Sequence, residues 1–90
     1  MKHILIISSK KIKNLEEINT YFPNSKLIQA NSIKDSLYYI KLLYSYIKII
    51  IIKINSEKHI NQYKTITNNY SEKEIVFFSK SSQIKNLFFE

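Results

Sequence analysis

The sequence predicts an α/β fold in which short strands alternate with helices over one domain, residues 1–90. Four runs of consecutive large apolar residues are typical of strands buried on both faces, because apolar and polar residues do not alternate in them. The segments between these runs carry apolar residues three or four positions apart, which is the spacing of amphipathic helices. This alternation favours a parallel sheet with right-handed crossovers and helices on both faces, a three-layer sandwich of the type βαβαβαβα.

The first strand and the first helix are expected before Pro23. Residues 4–7 form an apolar run, and Ser8 and Ser9 end it while offering a helix cap. A helix is expected over residues 10–22, since Pro23 cannot continue one. Its apolar residues recur at helical spacing: Ile12, Leu15, Ile18 and Phe22.

The second strand and helix are expected over residues 26–44. Residues 26–30 form a short strand, and Asn31 and Ser32 can cap the helix that follows. Asp35 stands three positions after Ser32, the spacing of a capping box. The core face of this helix is predicted to consist of Ile33, Leu37, Ile40 and Tyr44.

The third strand is predicted over residues 47–54, where four consecutive isoleucines indicate a central strand covered on both sides. Asn55 or Ser56 would cap a third helix. Asn68 and Asn69 are expected to supply left-handed backbone at its end, a role usually taken by glycine. The apolar face of this helix is predicted to consist of Ile60, Tyr63, Ile66 and Tyr70.

The fourth strand is predicted over residues 74–79, which contain four consecutive large apolar residues. A short terminal helix is predicted from Ser81 onward, although a fifth strand stays an alternative there. The helix would use Ile84, Leu87 and Phe88.

The composition excludes several classes of site, because the chain contains no Gly, Arg, Cys or Trp. Walker A loops and dinucleotide-binding fingerprints need backbone that glycine supplies. Disulfides, zinc ribbons and thiol nucleophiles need cysteine. We therefore expect no cofactor.

The net charge of +7 is compatible with a nucleic-acid or anionic-membrane partner. The alternative is coding bias, because Ile, Lys, Asn, Tyr and Phe are abundant and all have AT-rich codons. The lysines are also scattered, and arginine, which dominates base-edge contacts, is absent. No apolar run is long enough for a signal peptide or a membrane span, so we expect a cytoplasmic protein without a membrane partner.

Four segments of the chain resemble the receiver domain of bacterial response regulators, which has a flavodoxin-like fold. They are Ile-Leu-Ile-Ile-Ser-Ser at residues 4–9, Ala-Asn-Ser-Ile-Lys-Asp-Ser-Leu at 30–37, Lys-Ile-Ile-Ile-Ile-Lys-Ile at 48–54 and Ile-Val-Phe-Phe-Ser at 75–79. The resemblance covers residues 3–79. It implies the strand order 2-1-3-4, with the chain ending before the family's fifth strand.

The chain departs from the receiver pattern where that family carries out its chemistry. The family's acidic pair, which holds Mg²⁺, corresponds here to Ser8 and Ser9, and its phosphoacceptor aspartate corresponds to Lys53. Mg²⁺ requires carboxylate oxygens, and lysine cannot form an acyl phosphate. Ser79 keeps the residue type of the family. The comparison implies a protein that is not phosphorylated, binds no metal and is not an enzyme.

Two regions are candidates for binding. Ser8, Ser9, Lys53 and Ser79 are predicted to meet at the carboxyl ends of the strands, either as an anion pocket or as a degenerate site whose polar groups satisfy one another. A weaker alternative is a hydrolytic Ser8–Lys53 pair. His3 and His59 lack ligand partners at suitable spacing, so we expect no metal site. The interaction surface is predicted to comprise Phe77, Leu87, Phe88, Phe89, Tyr38 and Tyr39.

The fourth strand would lie at the edge of the sheet, where four large apolar residues are a template for pairing. Either residues 87–89 cover that edge or a second copy does, most simply in a symmetric homodimer through this strand and the terminal helix. The sequence therefore predicts a non-phosphorylatable, receiver-like module that binds another protein. The alternative is a small basic regulator that binds nucleic acid.

Overall fold

A computed structural model describes residues 2–9, 12, 15–55 and 57–79 of the chain. A 3₁₀ helix over Glu57–Tyr63 precedes the third α-helix, and the remaining elements alternate as predicted. The strands are β1 (Lys2–Ile7), β2 (Ser25–Ala30), β3 (Ile47–Lys53) and β4 (Glu74–Phe78), and the helices are α1 (Leu15–Tyr21), α2 (Ile33–Leu42) and α3 (Lys64–Asn69). No helix in the described ranges combines the length and apolar character that crossing a bilayer requires.

The four strands form one parallel sheet in the order β2-β1-β3-β4, which confirms the predicted fold. β1 pairs with β2 and β3, and β3 pairs with β1 and β4, so each central strand has a neighbour on both sides. The isoleucine run of β3 occupies one of these central positions. Its core residues are shielded from water on both faces, which is why this strand carries no alternating polar residues.

A bulge at Lys48 changes the register between β1 and β3. His3 is opposite Ile47, but the next residue of β1, Ile4, is opposite Ile49. Lys48 is therefore the extra residue, and its side chain is exposed. Because neighbouring strand residues point to opposite faces, the bulge places Ile47 on the same face as Ile50.

Two hydrophobic clusters cover the two faces of the sheet, which makes the domain three-layered. Ile40 of α2 and Ile66 of α3 pack on one face, against a cluster completed by Leu5, Ile7, Ala30, Ile47, Ile50, Ile52, Ile54 and Tyr63. Ile18 of α1 packs on the other face, in a cluster with Ile4, Ile6, Ile12, Phe22, Ile49, Ile51 and Phe78. Burying one such side chain contributes about 1.5–3 kcal/mol, so these clusters dominate the stability of the fold.

The start of α2 confirms the predicted cap, but its end differs from the prediction. The Ser32 hydroxyl oxygen accepts a hydrogen bond from the Asp35 backbone N–H at 3.1 Å. The prediction that Tyr44 lies on the core face is wrong, because α2 ends at Leu42. Tyr44 follows in a turn and is 42% exposed.

The third helical segment is correctly placed but differs in type. Its first half is a 3₁₀ helix, and α3 follows it. The prediction of left-handed backbone at Asn68 and Asn69 is wrong, since no described residue has a positive φ. Tyr70 ends the helix at φ −128°, and its N–H still donates to the Ile66 carbonyl at 3.0 Å. The helix therefore closes without a residue in the left-handed region.

Two predicted helical segments lie outside the described residues. They are the first turn of the first helix, at residues 10, 11, 13 and 14, and the whole terminal helix from Ser81 onward. Ser56, one of the two residues predicted to cap the third helix, also lies outside the described residues.

Candidate functional site

The sheet order creates a crevice at the carboxyl ends of β1 and β3. The chain leaving β1 crosses to α1 on one face, whereas the chain leaving β3 enters the 3₁₀ helix and α3 on the other. Because the two connections diverge from adjacent strands, they leave space between them. Open parallel sheets bind ligands at such switch points.

A cavity of about 180 Å³ lies in this crevice. Ser8, Ser9 and Lys53, three residues that the sequence predicts to meet, line it together. The wall is completed by Ile54, Asn55, His59, Gln62 and Tyr63. Ser79 is exposed after the end of β4 and is not among the lining residues, because β4 is separated from β1 by β3.

The serine and lysine positions are held by the sheet itself. Ser8 continues the β1–β2 ladder, since its N–H donates to the Ala30 carbonyl at 2.9 Å, and the residue is 2% exposed. Ser9 follows it and is exposed. Lys53 is the last residue of β3 and is half-buried opposite Phe78 in the register with β4. The regular pairing of the parallel strands thus brings Ser8, Ser9 and Lys53 to the same edge of the sheet.

Three polar residues of the cavity were not predicted as site residues: Asn55, His59 and Gln62. His59 and Gln62 stand three positions apart in the 3₁₀ helix, which has three residues per turn, so they lie one above the other. The sequence signal for this face is indirect: Ile60, Tyr63 and Ile66 form the apolar row of the same segment, which packs on the core and leaves the polar residues on its other sides. The apolar row therefore predicts which side of the segment packs on the core, but not that its polar residues line a cavity.

The donor groups of the cavity suit an anion better than a metal ion. The described lining side chains carry hydroxyls, amides, an imidazole and one ammonium, and none carries a carboxylate. Mg²⁺ takes hard oxygen ligands and favours carboxylates. Across the described part of the chain, no group of three or more His, Cys, Asp or Glu side chains could hold a metal ion. His3 and His59 are separated by the length of the sheet, since His3 lies near the amino end of β1.

The outer face of α2 presents a second candidate surface. Tyr38 is 63% exposed and Leu42 is 61% exposed. They stand four positions apart and therefore adjoin on the helix surface. Tyr39 points the other way and packs against the core cluster on its side of the sheet, with its ring centroid 5.8 Å from that of Tyr38. Of the two tyrosines predicted for the interaction surface, Tyr38 therefore faces outward and Tyr39 packs toward the core.

The predicted interaction residues near β4 are only partly described. Phe77 is half-buried, and its ring lies edge-on to Tyr63 at a centroid distance of 6.2 Å. Leu87, Phe88 and Phe89 lie outside the described residues. Among the described strands β4 is the outermost. The homodimer through this edge stays a prediction.

A polar cluster lies at the opposite, amino end of the sheet. Tyr44 donates a hydrogen bond from its hydroxyl to the Glu72 carboxylate. This bond raises the pKa of Tyr44 and lowers the pKa of Glu72. The Lys73 ammonium donates to the Tyr44 carbonyl at 2.6 Å and lies 3.8 Å from the centroid of its ring. The cluster ties the turn before β3 to the turn before β4 and is remote from the cavity.

Comparison with known proteins identifies no relative of the chain. No protein-family model, no curated protein and no solved structure matches it. The resemblance to receiver domains therefore stays a prediction that depends on residue patterns and strand order. The established conclusion is the α/β fold with a parallel sheet in the order 2-1-3-4.

Proposed function

We propose that this chain is a receiver-like binding module that takes no phosphoryl group and docks another protein on the outer face of α2. The observation that carries the proposal is the exposed pair Tyr38 and Leu42. Large apolar side chains that adjoin on one helix face gain free energy when a partner removes them from water. Tyrosine is also enriched among the residues that dominate protein interfaces.

The charges around this pair indicate the chemistry of the partner. Lys34 and Lys41 are exposed on the same side of α2, one four positions before Tyr38 and the other three positions after it, and the exposed Asp35 stands three positions before Tyr38. We define Lys34, Tyr38, Lys41 and Leu42 as the α2 stripe. With Asp35 counted, the charges around the apolar pair leave an excess of one positive charge, which is complementary to an apolar patch flanked by carboxylates. The partner we propose is therefore a protein with an acidic rim.

The same charges disfavour two other occupants of the stripe. A two-fold interface between copies of this chain would place two stripes of the same net positive charge against each other, and like charges at an interface repel. A nucleic acid would engage the lysines but would leave Leu42 without an apolar contact. Arginine, the most versatile residue for phosphate and base contacts, is absent from the chain.

The cavity residues support binding rather than phosphoryl transfer. Lys53 stands at the end of β3, where the resembled family places its phosphoacceptor, and an amine cannot replace a carboxylate in that reaction. Ser8 and Ser9 likewise offer hydroxyls in place of Mg²⁺-binding carboxylates. Incubation of the full chain with acetyl phosphate and Mg²⁺ is expected to add no phosphoryl group, as measured by intact mass.

A photo-crosslinking experiment tests the partner and the surface together. A benzophenone amino acid replaces Tyr38 in one variant and Tyr46 in a matched control, since Tyr46 is also an exposed tyrosine, 55% accessible, in the turn before β3. Irradiation in the native cell is expected to yield discrete protein adducts at position 38 that survive nuclease treatment. Leu42→Ser should reduce these adducts several-fold, and the adducted protein should carry acidic residues at its crosslinked site.

Three results would contradict the proposal. The first is equal adduct formation at positions 38 and 46, which indicates contact by chance. The second is a set of adducts that nuclease removes or that decline steeply with salt, which identifies nucleic acid as the partner. The third is incorporation of a phosphoryl group, which contradicts the non-phosphorylatable assignment.

A further inference from the structure

We infer that the cavity between β1 and β3 is a binding site for a small tetrahedral oxyanion, either free phosphate or the phosphate group of a monoester. This inference is independent of the proposed docking surface on α2, which lies on a different part of the molecule. It depends on the residues that line the cavity and on the strand order that brings them together.

The position of Lys53 supports an anionic ligand in the cavity. Lys53 is a half-buried residue at the end of β3 and lines the cavity. Lys53 is the one lysine among the described lining residues, and none of them is an aspartate or a glutamate. An anion that enters the cavity comes close to the Lys53 side chain, and Coulomb attraction increases as the distance between opposite charges falls.

The arrangement of donors supports a tetrahedral ligand over a planar one. Ser9, which has a hydroxyl, lines the cavity from the β1 side, while Asn55 and Gln62, whose amides can donate N–H groups, line it from the segment after β3. The donors thus stand on two walls of the cavity. A phosphate has four oxygens in different directions and can accept from both walls, whereas a carboxylate has two oxygens in one plane.

The size of the cavity limits the ligand. Its volume of about 180 Å³ is below the roughly 300–1,000 Å³ of pockets that hold drug-sized ligands. An inorganic oxyanion or a single phosphate group is compatible with that space. A nucleotide could place only its phosphate there and would leave its base outside.

The test is a titration of the ¹⁵N-labelled full chain with inorganic phosphate, at constant pH and with chloride holding the ionic strength constant. We expect saturable chemical-shift changes at the amides of Ser9 and Asn55. Lys53→Met should weaken the affinity about tenfold or more, since a hydrogen bond to a charged group contributes about 1.5–3 kcal/mol. Ser9→Ala should weaken it about two- to tenfold while retaining the charge.

The matched control is Lys48→Met, which removes a lysine from the exposed bulge at the other end of β3 and changes the net charge equally. Its affinity for phosphate should equal that of the unaltered chain.

A parallel titration with phosphoserine distinguishes free phosphate from a phosphate monoester as the ligand. Tighter binding of phosphoserine indicates a monoester ligand, and tighter binding of inorganic phosphate indicates the free ion.

The inference is overturned by shifts that do not saturate, by equal losses in Lys53→Met and Lys48→Met, or by acetate binding as tightly as phosphate. The amide spectrum of each variant reports whether it has folded. If Lys53→Met does not fold, Ser9→Ala decides the question alone, because Ser9 is exposed and follows the strand.

Discussion

The Tyr44 hydroxyl donates a hydrogen bond to the Glu72 carboxylate and so connects two turns that are 28 residues apart in the sequence. Tyr44 precedes β3 and Glu72 precedes β4, which are neighbours in the sheet. The Lys73 ammonium reinforces the link through the Tyr44 carbonyl. The amino ends of these two strands are therefore joined by side chains as well as by the backbone ladder.

This pair predicts a pH window for its contribution to stability. The pKa of Glu72 is lowered in the folded state, so its contribution is present above the ordinary glutamate pKa and is lost as the pH falls through the lowered value. The pKa of Tyr44 is raised, so its contribution is complete below the ordinary tyrosine pKa and is lost as the pH rises through the raised value. We expect the destabilisation caused by Tyr44→Phe, measured by urea unfolding, to be greatest between about pH 5 and pH 9.

The pair is exposed, so this destabilisation should be small. A direct readout is the Tyr44 pKa, followed by NMR of ¹³C-labelled tyrosine. Glu72→Gln should move it down toward the ordinary tyrosine value, whereas Glu74→Gln, a control at an exposed position two residues away, should leave it unchanged. An unchanged Tyr44 pKa in Glu72→Gln would show that the hydrogen bond does not form in solution.

Ile50 should be among the most sensitive positions of the core. It lies in the centre of β3, is fully buried, and belongs to the cluster under α2 and α3. Ile50→Ala should lower the free energy of unfolding by about 2–5 kcal/mol and Ile50→Val by about 0.5–1.5 kcal/mol, through lost burial and a residual cavity. Chemical denaturation measures both. Leu42→Ala, on the exposed side of α2, should stay within about 0.5 kcal/mol, and a similar loss there would contradict the assigned burial.

Ser32 should stabilise α2 through its cap. Its side-chain oxygen accepts from the Asp35 N–H, and its carbonyl accepts the Ser36 hydroxyl at 2.6 Å. Ser32→Ala should cost about 1 kcal/mol, measured by thermal or chemical unfolding. Ser32→Asp should retain most of the stability, because aspartate caps equally well. Equal losses in both variants would indicate that the hydroxyl does not act as the cap.

We expect Lys48 to support the fold because it adds a residue to β3, and not because that residue is a lysine. Deletion of Lys48 would place Ile47 on the opposite face of β3, away from Ile50. We expect a loss of about 1.5–3 kcal/mol, the free energy of burying one isoleucine side chain, measured by urea unfolding. Lys48→Ala keeps the chain length and should be nearly neutral. A deletion variant as stable as the unaltered chain would show that the register can shift without cost.

If a second copy of the chain covers the sheet edge at β4, the protein should form a homodimer. β4 is the outermost described strand and carries half-buried Ile75, Val76 and Phe77. Sedimentation equilibrium at micromolar concentration should then show a monomer–dimer equilibrium. A monomer at all concentrations would contradict the predicted homodimer and leave residues 87–89 or a different protein as the cover.

Much of the candidate site was predictable because strand ends are visible in the sequence. Ser8, Ser9 and Lys53 follow apolar runs directly, and parallel strands bring such residues to one edge. Asn55, His59 and Gln62 were not predictable, because their position depends on the 3₁₀ geometry of the segment after β3. Ser79 follows a strand as well, but that strand lies farther out, and distance within the sheet separates it from the cavity.

The amino-acid sequence by itself determined the α/β class, the four apolar strands and the absence of carboxylates at the ends of β1 and β3. These are local properties, since apolar runs and residue types do not depend on what packs against them. The order of strands was inferred from the receiver resemblance and then confirmed. Tertiary structure alone decided the bulge at Lys48, the outward position of Tyr44 and the walls of the cavity. Each of these depends on contacts between residues far apart in the chain, which no local pattern specifies.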